Sequence, residues 1–465
     1  MKALNAIRMA GREILPLIEG GKGVAISTGL SSGAWAAAGG VGTVSAVNAD
    51  SYDAQGHVIP QIYHGRTRRE RHDELIKYAI EGGITQVKRA FDIAAGKGAI
   101  NINVLWEMGG AENVLHGVLE KTRGLVSGVT CGAGMPYRLS QIAADYGVHY
   151  YPIVSSMRAF RALWKRAYSK TAEYLGAVVY EDPWRAGGHN GLSNSEDPLV
   201  PEDPYPRVKA LRDFMRKEGL GETPIVMAGG VWYLRDWSEW IDNPELGPIV
   251  FQFGTRPLLT KESEISEEWK NRLTTLQPGD VKLHKFSPTG FYSSAVGNDY
   301  LMELMARSDR QIAFSLEAVG DHVAELSVGV KGRTLYVTPG DAKRAENWVR
   351  EGYSEAMKTP DNTLIFVDAE KRDEIRKDQA DCMGCLSHCG FSNWADNEKN
   401  STGYKADPRS FCIQKTLQDI AHGGDVENNL MFAGHNAYLF SQDPFYSNGY
   451  VPSVKELVER IQTGD

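Results

Sequence analysis

The chain has 465 residues, 42% of them hydrophobic and 24% charged, which is ordinary for a soluble globular protein and enough for a barrel-sized domain plus an extension. A formal net charge of −8 and a pI near 5.8 exclude the basic footprint of a nucleic-acid binder and suit a small-molecule enzyme or an electron carrier. No stretch approaches the roughly 18 apolar residues of a membrane span, and residues 1–8 lack the apolar core of a secretory signal, so the expectation is no membrane partner and a cytoplasmic location.

Residues 1–20 read as a lead-in helix. The run 23–27 reads as a first short strand, followed by a loop to Gly33, a short helix over 34–38 and a glycine-led second strand over 39–45. Two helical patterns follow between about 66 and 95, with Leu75, Ile76, Ala79 and Ile80 on one face. His57, His64 and His72 fall in a polar connecting segment and are expected to be solvated. From there short apolar runs at 99–105, 124–130, 149–153, 177–180, 224–228 and 249–253 alternate with helical patterns at about 111–121, 137–146, 157–173, 205–218 and 233–241. Counting the two early strands, eight strands each precede a helix or helical stretch. Strands separated by helices imply parallel crossovers, and eight such units over this length predict an α/β fold of the (β/α)8 TIM-barrel type. A doubly wound sheet is the alternative, but no Gly-x-Gly-x-x-Gly opens a helix after the first strand. The barrel is assigned to residues 1–275. Residues 276–465 form a smaller α/β region, whose last helix carries a Ser453/Glu456 capping box and an apolar face that packs back on the barrel.

The sixth strand runs into Ala186-Gly187-Gly188-His189. Adjacent glycines let a planar ligand approach the backbone, and a histidine delivered to that place suits proton removal near neutrality. A flexible turn with a surface histidine is the bland alternative. Strands seven and eight end in Gly229-Gly230 and Gly254-Thr255, where parallel barrels commonly hold a phosphate on backbone N–H groups. Close helix–strand packing would also explain those glycines. The loop 191–205 is polar and proline-rich and follows His189, as either a cover or a surface excursion. Cys131 sits after the fourth strand and reads as a small buried hydrophobe.

Cys382, Cys385, Cys389 and Cys412 fall close together. Clustered thiols in a chain of this kind point to a metal site rather than a disulfide framework. Three close cysteines and one distant one favour a [4Fe–4S] cluster, with structural zinc (His388 a substitute ligand) as the alternative.

Taken in order, Gly-Gly-Val-Gly-Thr-Val at 39–44, Ile-Asn-Ile-Asn-Val at 100–104, Ala-Gly-Gly-His-Asn-Gly at 186–191, Pro-Ile-Val-Met-Ala-Gly-Gly-Val at 224–231 and Phe-Gly-Thr-Arg at 253–256 resemble the nitronate monooxygenase (2-nitropropane dioxygenase) family of FMN-dependent barrels. The resemblance covers about 24–260 and, more loosely, 280–300 and 430–461. It implies FMN with its phosphate on Gly229, Gly230, Gly254 and Thr255, with Asn103 and the loop near Gly29 beside the flavin. His189 is then the base that removes the acidic proton of a small carbon acid, with oxygen as the electron acceptor. The sequence departs from the family where Ile26-Ser27-Thr28-Gly29 replaces a Pro-Met pair, and in its cysteine-bearing tail. The cysteine run looks similar to that of flavin-barrel dienoyl-CoA reductases, which implies the alternative of an enoyl-thioester reductase fed through the cluster, with a nicotinamide nucleotide as the redox partner. A non-catalytic barrel stapled by zinc is the third alternative. The substrate and the oligomeric state, a homo-oligomer included, stay open at this point.

Overall fold

Short apolar runs that end in glycine or an acidic residue become parallel strands, because β-branched and aromatic side chains pack on both faces of a buried sheet. The computed structural model describes residues 1–329 and 332–465. Its barrel strands are β1 (Leu17–Glu19), β2 (Val41–Ser45), β3 (Ala99–Leu105), β4 (Gly128–Gly132), β5 (His149–Val154), β6 (Val178–Glu181), β7 (Ile225–Ala228) and β8 (Ile249–Phe253). They follow one another around a closed barrel, and β8 returns to β1 with Phe251 opposite Leu17. The fold is therefore the (β/α)8 TIM barrel.

Alternation along each strand divides the core in two. Ile18, Val41, Ala99, Tyr151, Val179, Val226 and Val250 meet inside the barrel. Leu17, Val44, Ile102, Val129, Val178 and Phe251 instead join the outer layer shared with the helices. Those helices include α1 (Gly29–Ala37), α2 (Arg68–Ala94), α3 (Ala111–Lys121), α4 (Leu139–Asp145), α5 (Met157–Arg166) and α6 (Pro204–Lys217).

Three sequence expectations are corrected. Residues 1–20 are not a helix: Ile7–Met9 and Arg12–Ile14 pair as an antiparallel hairpin, and Met9 and Ile14 pack on the inner cluster. Ala10 and Gly11 both take positive φ in its turn (51° and 76°), as a two-residue hairpin turn requires. The first barrel strand is Leu17–Glu19 rather than 23–27, a segment that turns back so that Ser45 donates to the Ser27 carbonyl. The two helical patterns of 66–95 are the single helix α2. Its internal Gly82 and Gly83 leave room for neighbours, since a Cβ on Gly82 would stand 1.7 Å from the Ala49 carbonyl oxygen.

Beyond the barrel, Gln311–Ala313, Thr363–Val367 and Glu355–Lys358 form an antiparallel sheet, with helices Pro339–Arg350 and Ala369–Ala380. Ile312, Leu335, Val337, Ala345, Leu364 and Phe366 give it a core of its own. The last helix, Val454–Gln462, is capped by Ser453 and Glu456, buries Val454, Leu457, Val458 and Ile461, and packs on α1.

Candidate active site

The carboxyl ends of the barrel strands surround a cavity of about 220 Å³. Its barrel side is largely backbone: Gly20 and Gly21 after β1, Gly187 and Gly188 after β6, Gly229 and Gly230 after β7, and Gly254 after β8. Gly229 and Gly230 take φ of +86° and +80°, a region that a side chain would strain. A Cβ on Gly254 would meet nothing within 4 Å, so the space beside it is open. The peptide N–H groups of Gly229, Gly230, Gly254 and Thr255 donate to no protein acceptor among the described residues. Unpaired donors around an open space, at the ends of β7 and β8, fit the phosphate of a bound cofactor. Asn103, on β3, also lines the cavity.

Two of the glycines make room for the protein itself. A Cβ on Gly187 would stand 2.6 Å from the Ala433 carbonyl carbon, so this glycine admits the chain at 433–434. Gly29 is not among the cavity residues. It opens α1, where its N–H donates to Gln86 Oε1 at 2.7 Å and a Cβ would strike the Gln86 carbonyl.

His189 lines this cavity and a second, outer one of about 450 Å³. The two-residue strand Gly188–His189 pairs with Ser293 and Ser294, which fixes the loop, and the Phe432 ring lies 5.4 Å from the imidazole. His189 Nε2 is 2.6 Å from Ser287 Oγ, which is 2.9 Å from Thr289 Oγ1. The Thr289 and Phe291 amides donate to these two hydroxyls. Nε2 and the two hydroxyls form one chain of hydrogen bonds, and with Nε2–H donating to Ser287 and Ser287 in turn to Thr289, Nδ1 keeps its lone pair free. Burial pushes the His189 pKa down to about 4, so the ring is neutral at physiological pH and can accept a proton.

The tail closes the cavity. Met431, Phe432, Ala433 and Gly434 form one wall, and Leu386, Ile413, Leu417 and Ile420 form another. Gly434 N–H donates to Thr255 Oγ1 (2.9 Å) and Asn436 Nδ2 donates to the Gly230 carbonyl (2.7 Å), which ties the tail to the β7 and β8 loops. Cys385 also lines the cavity.

All five cysteines are free thiols. Burial raises the Cys385 pKa first, and the charges of Cys412, Cys389 and Cys382 raise it further, so the four tail thiols lie within electrostatic reach of one another. Cys412 is pushed up to about 12, mainly by burial. Among the described residues, no three His, Cys, Asp or Glu side chains stand in position to hold a single metal ion. The loop that carries these thiols rests on the amino end of α2, where Arg68 and Arg71 donate to the Ser392 and Cys382 carbonyls. His72 is buried there, contrary to the solvated reading, with Nδ1 2.9 Å from the Gly384 carbonyl and its ring against Trp394. His57, His64 and His388 are exposed. Cys131 is fully buried and lines neither cavity. Gly191 to Asn194 line the outer cavity, whereas Leu199 and Val200 farther along the same loop point to solvent.

Sequence reasoning passed over the Gly20-Gly21 pair, which the misplaced first strand concealed, and Glu181, whose position as the last residue of β6 was the available signal. Phe432 carried no local signal at all.

No family model matches the chain, and no curated protein matches it. Among solved structures, the nitroalkane oxidase from Streptomyces ansochromogenes is 15% identical with a TM-score of 0.53, over 97% of this chain and 95% of that one. The enoyl reductase domain of MlnA, from the macrolactin biosynthesis cluster of Bacillus amyloliquefaciens, is 12% identical with a TM-score of 0.53, over 97% and 93%. At these identities the likeness is one of fold. No helix among the described residues is long and apolar enough to cross a membrane.

Proposed function

We propose that the chain is an FMN-dependent oxidoreductase that acts on a small carbon acid, a nitronate-type compound or one similar to it, with oxygen as the acceptor. The observation that carries this reading is the cavity at the barrel mouth, lined by the unpaired amides of Gly229, Gly230, Gly254 and Thr255, with open space beside Gly254 and a neutral His189 in the same wall. FMN bound there would supply electron acceptance. Asn103, Gly187 and Gly188 line the space left for its ring, and the apolar tail wall excludes water. His189 Nδ1 takes the proton of the substrate C–H, with Ser287 holding the ring through Nε2. A nitroalkane oxidase and an enoyl reductase domain among structures of similar fold support an oxidoreductase of this architecture.

We further propose that Cys382, Cys385, Cys389 and Cys412 hold one [4Fe–4S] cluster. Four free thiols, two buried and two half-buried, whose charges act on one another support this reading, and the Cys₄ set matches the ligation of such a cluster. Cys385 lies in the cavity wall, and that favours the second reading, a reductase of the enoyl-thioester type whose flavin exchanges electrons with the tail.

The absorption spectrum of purified protein tests the common part of both readings: flavin bands are expected, and a colourless sample rejects them. Anaerobic mixing with a nicotinamide nucleotide separates the two. Rapid bleaching of the flavin selects the reductase, and an unchanged flavin selects the oxygen-dependent reading. In either case the chain works without nucleic acid or membrane, on a small-molecule substrate.

A further inference from the structure

The two cavities meet at a neck walled by Ala133, Ile153, Glu181 and His189. Glu181 is therefore the one acidic side chain common to both. Val179 of β6 packs inside the barrel and Tyr180 outside, so the alternation turns Glu181 inward. Its carboxyl forms no hydrogen bond or ion pair with any described residue, whereas the neighbouring Asp182 accepts from the Trp184 and Arg185 amides. A carboxyl at a cavity junction with no protein partner has its hydrogen-bonding capacity reserved for what enters the cavity.

Resting on the flavin-oxidoreductase reading above, we propose that Glu181 is a catalytic residue that donates a hydrogen bond to the oxygen of the substrate's activating group, nitro or carbonyl, while His189 removes the proton from the adjacent carbon. The step balances without any further reactant. The C–H bond breaks, its proton moves to His189 Nδ1, its electron pair becomes delocalised onto the substrate oxygen, and the Glu181 O–H holds that oxygen without giving up its own proton. Acid and base roles then fall to two side chains whose surroundings move their pKa values apart. Burial, with the Asp182 charge in second place, pushes the Glu181 carboxyl up to about 8, so it is protonated at neutral pH and can donate. The other charged groups on the two cavities do not reverse this. Lys22 is committed to Glu19 and the Gly20 carbonyl, Lys285 to Asn194, and the Arg185 charge acts on Asp182. The substrate class that follows is a neutral carbon acid whose charge develops on oxygen, or the preformed oxyanion of such an acid.

Binding of 4-nitrophenolate to the flavin-loaded full chain tests the assignment without turnover, read from the phenolate band and the perturbation of the flavin spectrum. Because the anion needs the protonated carboxyl, affinity expressed per phenolate anion should be flat below about pH 8 and fall about tenfold per unit above it. Glu181→Gln keeps a donor and cannot ionise, so its affinity should stay flat throughout. Glu181→Leu should bind the anion about ten- to a hundredfold more weakly at neutral pH, the worth of one hydrogen bond to a charged group. A wild-type affinity that ignores pH, a Leu variant that binds as tightly as the wild type, or no binding of the phenolate at any pH would each overturn the assignment. Flavin content, measured on the same samples after release, keeps the outcomes apart: protein that carries no flavin refutes the underlying reading instead.

Discussion

The two halves of the cavity wall are built on opposite plans. The barrel half is rich in bare backbone, with glycines after β1, β6, β7 and β8, and it carries the polar side chains of the site, Asn103, Glu181, His189 and Gln252 among them, with Lys22 and Arg185 as its cations. The tail half consists of side chains, with Leu386, Ile413, Leu417, Met431 and Phe432 facing the glycines, and one thiol, Cys385. A parallel barrel fixes where its strand ends lie but leaves the mouth open. Here a segment some two hundred residues downstream supplies the apolar lid and, in the proposed account, the metal centre. The lesson is a division of labour: backbone donors from the rigid scaffold receive the charged end of a ligand, and borrowed side chains keep the reacting end dry.

That division can be attacked from either side. The largest effect is expected at Gly254. A Gly254→Asp variant puts a carboxylate where no atom now stands within 4 Å, opposite the proposed phosphate, and should purify with flavin reduced to a small fraction of the wild-type content. Full retention would remove the phosphate from the β8 loop. His189→Asn comes next. General-base catalysis is worth about 10²–10⁴-fold, so turnover of a neutral carbon acid should fall by that order and turnover of its preformed anion far less. Equal losses on both would leave His189 a binding residue. Because burial holds its pKa near 4, the wild-type rate should show no protonation of this histidine between about pH 6 and 8, unlike an unperturbed imidazole. A rate that rises through that interval with a single ionisation lost in His189→Asn would contradict the buried, neutral ring.

On the tail side, Leu417→Ala should cost about 2–5 kcal/mol of stability, as core truncations do, and should weaken flavin retention less than Gly254→Asp, since it leaves every backbone donor in place. Thermal unfolding with flavin release measures both. The smallest effect is expected at the seam. Thr255→Val removes the hydroxyl that accepts from Gly434 N–H at 2.9 Å, and a lost hydrogen bond of this kind is worth about 1 kcal/mol. For a chain of 465 residues a drop in unfolding temperature of about one degree is expected. No change would mean that the tail is held by the packing of its apolar residues alone.

How much of this was legible in the sequence follows the same line. Strands such as Ala99–Leu105 and Ile249–Phe253 stand out because each is a short apolar run bounded by turn residues, and the local motifs at 186–189, 228–231 and 253–256 mark the barrel half of the cavity. The first strand was obscured by competition. Leu17-Ile18-Glu19 carries a carboxylate, which reads as surface, yet Glu19 is fully buried and paired with Lys22 and Ser31. The apolar Val24-Ala25-Ile26 looked the better strand. Gly20 and Gly21 went unnoticed for that reason. The tail half was illegible for a different cause. Phe432 reaches His189 only because Ala295 bridges to it across the tail, and Cys385 reaches the cavity because Leu386 bridges to Met108 after β3. Contacts over such separations leave no periodicity to read.

The most direct test is the flavin and metal content of the full chain purified without oxygen. The account predicts one FMN and about four iron atoms per chain, with broad absorption near 400 nm beneath the flavin bands, as a Cys₄-ligated cluster requires. One zinc with no iron would return the tail to a structural role, and protein without flavin would contradict the central claim that the glycine-lined mouth is a cofactor site.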